Sequence, residues 1–299
     1  MPHARDHGRP APLPDPLPIP VVDNHTHLDI RRHDVPDPIG PGGAPGGEGV
    51  ARTTADVGRA LGQAAAVGVD RVVQVGCDLA SARFTVEQVD QHPAMLGAVA
   101  LHPNEAPLLA ARGELDEAFA EIERLAQHPR IRAVGETGLD HYRTPEEGRP
   151  AQQESFRRHI DLAKRLGLAL QIHDRDSHDD VLAILAEEGA PERTVLHCFS
   201  GDIAMARECV ERGYLLSFAG TVTFKNAAGL RDALAVTPVE QVLVETDAPY
   251  LTPSPHRGSA NAPHLVPLTV RAMAGVLGVD VPTLCAQISA TSERVYGPW

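Results

Sequence analysis

Eight short apolar runs rich in β-branched residues recur along the chain: IPVVDNH, VDRVVQVG, LGAVALHP, IRAVGETG, LALQIHDR, TVLHCFS, YLLSFAG and QVLVETDAP. Each is bounded by Gly, Pro or charged residues, as strands buried on both faces of a parallel sheet are. Most are separated by stretches of helical periodicity: Thr54 to Val67, Leu115 to Gln127, Gln152 to Leu166, Asp180 to Glu188 and Ile203 to Arg212. Strand and helix alternating eight times fit an α/β architecture of the (β/α)8 TIM-barrel type better than an open doubly wound sheet. No glycine fingerprint follows the first strand, and 299 residues suffice for one such barrel. Residues 20–299 are therefore read as a single domain.

Two segments stand outside this pattern. The first nineteen residues, rich in proline and charge, lack the apolar centre of a secretory signal and are read as a disordered tail on a cytoplasmic protein. Residues 31–50 form a Gly/Pro-rich insert, expected as a long loop after strand one. No run approaches the roughly 18 uninterrupted apolar residues of a membrane span, and nothing points to an obligate protein partner. Cys77, Cys198, Cys209 and Cys285 form no CxxC pair, which suits free thiols rather than a cysteine-based zinc site. The net charge of −13 argues against a broad basic surface that wraps nucleic acid. A phosphate-bearing substrate stays possible if positive charge is concentrated at one site.

The chemistry is written at the strand ends. Strand one closes in His25 and His27, strand four in Glu136, strand five in His173, strand six in His197 and strand eight in Asp247. Residues i and i+2 of a strand share a face, so His25 and His27 stand side by side. In a barrel all C-terminal strand ends meet on the face where active sites form. Four histidines and two carboxylates exceed the needs of one tetrahedral ion. They suit two divalent ions, about 3.5–4 Å apart in such centres, with the central Glu136 as the bridge. His102 ends strand three on the same face and is a candidate for substrate contact. Arg175, two residues past His173, is placed for a phosphate oxygen. Ser200 and Gly201 follow His197 and offer a hydroxyl and a backbone donor. Asp140 is placed either to orient a ligand histidine or to touch substrate. Cys198, by alternation, faces away.

The blocks DNHTHLD, GETGLD, IHDRD, HCFSG and ETDAPYL, in this order and spacing, resemble the signature of the TatD-type metal-dependent deoxyribonucleases, within the amidohydrolase-like barrels. The likeness runs from about Pro20 to Pro298, apart from the insert. It implies His25, His27, Glu136 and Asp247 on one ion and Glu136, His173 and His197 on the other, with Mg²⁺, Mn²⁺ or Zn²⁺ as the metal. It also implies a nucleic-acid phosphodiester as substrate, usually the 3′ end of DNA, with Asp247 and Glu136 catalytic. Arg257 in PHRGSANAP resembles the family's Arg-Gly block and is a substrate-phosphate candidate; Asn261 is read as shaping that loop. Asn104, Ser259, Ala260 and Ser292 depart from the family pattern without removing a ligand, and the lost basic residues weaken the case for tight binding to a long polynucleotide. The same centre polarises a carbonyl as readily as a phosphoryl group. Deacylation of an ester such as D-aminoacyl-tRNA is therefore the alternative reaction, and a metal-stabilised binding module is a third, non-enzymatic reading.

Overall fold

A computed structural model of the chain describes residues 10–30 and 54–299. The 31–50 insert lies outside the described residues. Among those described, strand and helix alternate as expected. The first half contains β1 (Val21–Thr26), α1 (Thr54–Ala65), β2 (Val69–Gly76), α2 (Leu79–Gln91), β3 (Met95–Val99), α3 (Glu105–Arg112), α4 (Leu115–Ala126) and β4 (Ile131–Asp140). The second half contains α5 (Arg149–Leu166), β5 (Ala169–Arg175), α6 (His178–Glu188), β6 (Thr194–Leu196), α7 (Ile203–Glu211), β7 (Leu215–Phe218), α8 (Ala228–Ala235), β8 (Val242–Val244), α9 (Val266–Leu277) and α10 (Val281–Tyr296). The helix ends are set locally. Asp78 and Ser81 form a reciprocal capping box at the start of α2. Gly167, at φ 62°, closes α5 in a left-handed turn that only glycine enters freely.

The strands form one parallel sheet in the order β1 to β8, curled into a TIM barrel. Each strand pairs with its successor. The seam between β8 and β1 has no ladder among the described residues: it carries an isolated bridge from Thr26 to Ala248 and scattered bonds, among them Asn24 Nδ2 donating to the Val244 carbonyl (2.8 Å). The lumen is filled by Val22, Val73, Val75, Leu96, Ala98, Ala133, Ala169, Val195, Leu215 and Leu243, with Tyr296 of α10 packed against them. A larger apolar layer, including Val21, Val134, Leu170, Ile172, Phe156 and Ile160, lies between sheet and helices.

Two irregularities in register place the site. On β1 the pairs Asp23–Val72 and Thr26–Gln74 span three residues against two on β2. On β4 the pairs Val134–Leu170 and Thr137–Ile172 do the same against β5. One extra residue resets the alternation of a strand. Val22 and Ala133 face the lumen, so strict alternation would turn His25 and Glu136 outward; the bulges turn them in. Gly138 is also required here, because a Cβ at that position would stand 2.1 Å from the His173 carbonyl oxygen. Its absence lets β4 lie against the β5 segment that carries His173.

The expected disorder of residues 1–19 is corrected for residues 10–19, which pack on the barrel; residues 1–9 lie outside the described residues. Leu17 is buried, and its backbone N–H donates to the Val67 carbonyl (3.0 Å). Arg271 of α9 donates to the carbonyls of Asp15 (2.8 Å) and Pro16 (3.1 Å). Pro10 bridges to Ala260, and His264 donates to the buried Ala11 carbonyl. Proline lacks an N–H but keeps its C=O, so this segment is held largely through carbonyls that accept bonds from the barrel.

Candidate metal centre

Glu136 stands at the middle of the C-terminal mouth, almost fully buried, and its two oxygens face different partners. Oε1 lies 2.6 Å from His173 Nδ1, 2.8 Å from His197 Nε2 and 3.5 Å from His102 Nε2. Oε2 lies 3.5 Å from His25 Nε2, 3.8 Å from His27 Nε2 and 3.4 Å from Cys77 Sγ. Asp247 completes the second side, with Oδ1 3.4 Å from His27 Nε2. All six residues singled out at the strand ends thus meet around one carboxylate. Four overlapping triads could hold a metal ion: His25–Glu136–His197, His25–His27–Asp247, His27–Cys77–Glu136 and His102–Glu136–His173.

The outward nitrogens of the histidines decide which inward nitrogens are free to bind. His25 Nδ1 lies 3.0 Å from Gln171 Oε1. The amide of Gln171 donates to the Asn24 carbonyl (2.9 Å) and the Tyr296 hydroxyl (2.7 Å), which fixes its oxygen toward His25. His27 Nδ1 meets the Val75 carbonyl at 3.0 Å, and His197 Nδ1 meets Glu245 Oε1 at 3.1 Å. Each outer nitrogen therefore carries a proton, so each Nε2 directs a lone pair at the centre whenever its ring is neutral. His173 is reversed: Nδ1 faces Glu136, while Nε2 sits 3.3 Å from Asp140 Oδ2, a charge contact rather than an aligned hydrogen bond. Of the two roles open to Asp140, this contact favours the orienting of His173.

The consequence is sharpest between His25 and His27, whose Nε2 atoms face each other at 3.2 Å, both buried. Two converging lone pairs repel unless a proton or a cation lies between them. Metal–nitrogen bonds of about 2.0–2.1 Å at a tetrahedral angle put two nitrogens roughly 3.3 Å apart, so the pair fits a metal ion. His102 behaves oppositely. Its Nδ1 accepts the backbone N–H of Asn104 (3.1 Å), which leaves Nε2 protonated as a donor.

The electrostatics match. Burial pushes the Glu136 carboxyl up, but the surrounding His197, His102 and His173 outweigh it and hold the group well below the usual carboxylate range. Burial, then the stacked ring of His197 at a centroid distance of 3.9 Å, pulls His25 down to about 4. Burial also opposes charge on His27 and His173, yet Asp247 and Glu136 lift His27 to about 9, and Asp140 and Glu136 lift His173 to about 9. Protons on these rings occupy the places that a divalent cation would neutralise better.

A family model described as "TatD related DNase" matches residues 22–297. The chain belongs to the TatD family. Its similarity to the uncharacterized metal-dependent hydrolase TatD of Mycobacterium tuberculosis is 47% identity over 93% of this chain and 98% of that one. With the uncharacterized metal-dependent hydrolase YabD of Bacillus subtilis it shares 32% identity over 92% and 98% of the two chains. The fold is that of YjjV, a TatD homolog from Escherichia coli, at a TM-score of 0.79 and 22% identity, covering 93% of this chain and 98% of that one. As a member of the TatD family the chain is a metal-dependent hydrolase.

Around the TatD centre the remaining candidates divide. The Arg175 guanidinium lies 3.9 Å from the ring centroid of Tyr142, and that of Arg257 lies 3.5 Å from that of Phe224. Stacking holds both cations in place while leaving their N–H groups open to an anion. Ser200 Oγ donates to the Asp174 carbonyl (3.2 Å), which ties the loop after β6 to the end of β5. Asn261 donates to the carbonyls of Thr246 (2.8 Å) and Tyr250, tying the loop after β8 to the strand end. Cys198 adopts φ 44°, so alternation ends at His197, and its thiol is pushed up by burial and by Asp247, Glu245 and Glu136 nearby. Sequence reasoning missed Glu245, Gln171 and Cys77. Each lies two residues from a ligand or from a lumen-facing valine, and that spacing was the available signal. No single helix among the described residues is long and apolar enough to cross a membrane.

Proposed function

We propose that this chain hydrolyses phosphodiester bonds of DNA, working from the 3′ end, with two divalent ions (Mg²⁺, Mn²⁺ or Zn²⁺) held across Glu136. His25, His27, Asp247 and Glu136 Oε2 would hold one, and His173, His197 and Glu136 Oε1 the other. The observation that carries this reading is the division of the two Glu136 oxygens between separate histidine groups. When bound, such a pair of ions supplies an ionised water near neutral pH and neutralises phosphate charge.

The chain's own residues do the rest. Asp247 is held by its N–H donating to the His25 carbonyl (2.9 Å) and its carbonyl accepting from Tyr250 (2.8 Å). Its carboxylate is thereby fixed beside His27 and accepts the proton of the attacking water. His102 presents Nε2–H to a phosphate oxygen, and its burial favours the neutral donor form. Arg175 and Arg257 grip further phosphate oxygens from the rim. With Arg175, Arg257 and the ions concentrating positive charge at the mouth, an acidic chain can still accept the end of a polyanion. The family description as a DNase supports the same substrate class.

The test is an assay of purified full-length protein, loaded with each metal, on 3′-labelled single- and double-stranded DNA beside D-aminoacyl-tRNA. Release of 3′ mononucleotides is expected. Deacylation of the tRNA with uncut DNA would overturn the phosphodiesterase reading and leave the metal centre intact.

A further inference from the structure

Cys77 continues the lumen-facing side of β2, after Val73 and Val75, and opens into the centre. Its backbone is fixed: its N–H donates to Ser81 Oγ (2.9 Å) within the α2 cap, and its carbonyl accepts from the His102 N–H (2.8 Å). The thiol donates to Glu136 Oε2 at 3.4 Å, the same oxygen that faces His25 and His27. Independently, the buried Nε2 atoms of His25 and His27 converge at 3.2 Å, the spacing of two nitrogens on one metal ion. We propose that Cys77 is a thiolate ligand to the ion held by His25 and His27, and that it biases this side toward zinc-like metals over magnesium. This rests on the two-ion reading above.

The distances suit it. Cys77 would be a fifth protein ligand, and at angles of about 90–120° metal–sulfur bonds of about 2.3 Å and metal–oxygen bonds of about 2.0–2.2 Å separate sulfur from oxygen by roughly 3.1–3.8 Å. The observed 3.4 Å between Sγ and Oε2 falls within that range. Cys77 also lies with His27 and Glu136 in a triad whose ligand atoms are within 4.8 Å of one another. Ligation forms one sulfur–metal bond and releases the thiol proton to solvent, with no change of oxidation state. Sulfur is a soft donor that magnesium does not recruit, whereas zinc and cobalt do. An oxygen-only set would lack that preference, and a nitrogen–oxygen set would show it less strongly than one that includes sulfur.

Cobalt(II) reports sulfur ligation directly. The full-length protein, stripped with chelator and refilled with cobalt, should show a near-ultraviolet thiolate-to-cobalt charge-transfer band. The band should persist in Cys198→Ser and vanish in Cys77→Ser and Cys77→Ala, while the visible ligand-field bands of bound cobalt remain. Zinc affinity should fall roughly tenfold or more in Cys77→Ser while magnesium affinity stays within about twofold. Circular dichroism melting would show that the variants are folded. If two cobalt ions bind without a charge-transfer band, or the band follows Cys198, sulfur ligation by Cys77 is wrong and the proposed function stands. If cobalt does not bind at all, the two-ion reading fails and this inference fails with it.

Discussion

The proposed sharing of one carboxylate by two cations is the most exposed point of the chemistry. Replacing Glu136 with Gln keeps its shape and removes the negative charge that offsets repulsion between ions about 3.5–4 Å apart. Bound metal should fall from about two ions per chain to one or fewer. Turnover should drop by roughly 10³-fold or more, since several kcal/mol of charge stabilisation are lost. Near wild-type turnover at ordinary metal concentration would defeat the bridging role. A second expectation concerns protons. In metal-free protein His27 and His173 are lifted from 6.5 to about 9. A raised folded pKa stabilises fully below the unfolded value, and the contribution disappears as pH rises through the folded one. The chelated protein should therefore lose melting temperature between pH 6.5 and 9.5, and the metal-loaded protein much less. Equal slopes in both would argue against these rings as ligands. At this scale the residue types at the strand ends were legible, because imidazole and carboxylate have few reasons to crowd a barrel mouth other than metal. The inward turn of His25 and Glu136 was not: it depends on one extra residue against a neighbouring strand, and no local pattern records that.

Among the elements, the loop after β8 and the segment before β1 act together. Thr252 Oγ1 donates to the Ser259 carbonyl (2.9 Å), Asn261 ties the loop to Thr246, and Pro10 bridges to Ala260. Arg257 sits within that frame. Arg257→Ala should raise KM roughly 10-fold or more with a smaller loss in kcat, the mark of a contact made equally in ground and transition states. Arg257→Lys should not restore it, because an ammonium lacks the planar face that stacks on Phe224. An equal fall in kcat and kcat/KM would instead place the residue in the transition state. Deleting residues 1–18 removes the buried Leu17 and the Arg271 contacts. It should lower the melting temperature by roughly 5 °C or more, from about 1.5–3 kcal/mol for Leu17 alone. An unchanged melting curve would mean the segment only rests on the surface. Composition misled here because proline and charge describe the average of a stretch, whereas docking depends on one leucine and a few carbonyls. The helix spans fared better, since an apolar face repeated over several turns carries its own signal; α4 and α7 each ended one residue before the expected boundary.

For the molecule as a whole, eight alternations without a glycine fingerprint after the first strand were enough to favour the barrel over an open doubly wound sheet, since both bury such runs on both faces. How it closes was not legible. Consecutive strands share ladders, but β8 and β1 are joined by side chains and a few backbone bonds: Asp247 N–H to the His25 carbonyl (2.9 Å), His27 N–H to the Ala248 carbonyl (2.8 Å), and Asp23 accepting from Thr246 N–H (2.8 Å) and Oγ1 (2.5 Å). The partners lie more than 200 positions apart in sequence, as the separation of 223 between Asp23 and Thr246 shows. Bringing such distant stretches together is costly in chain entropy, and this is the joint with least backbone pairing to offset it. His25 and His27 stand on one side of that joint and Asp247 on the other, so an ion coordinated by all three would clasp the barrel shut. Amide hydrogen exchange should reveal the clasp: on metal binding the His27 and Asp247 amides should slow by roughly tenfold or more, while those in the β2–β3 ladder hardly change. Slowing spread evenly around the barrel would mean that the metal stabilises the fold without fastening its seam.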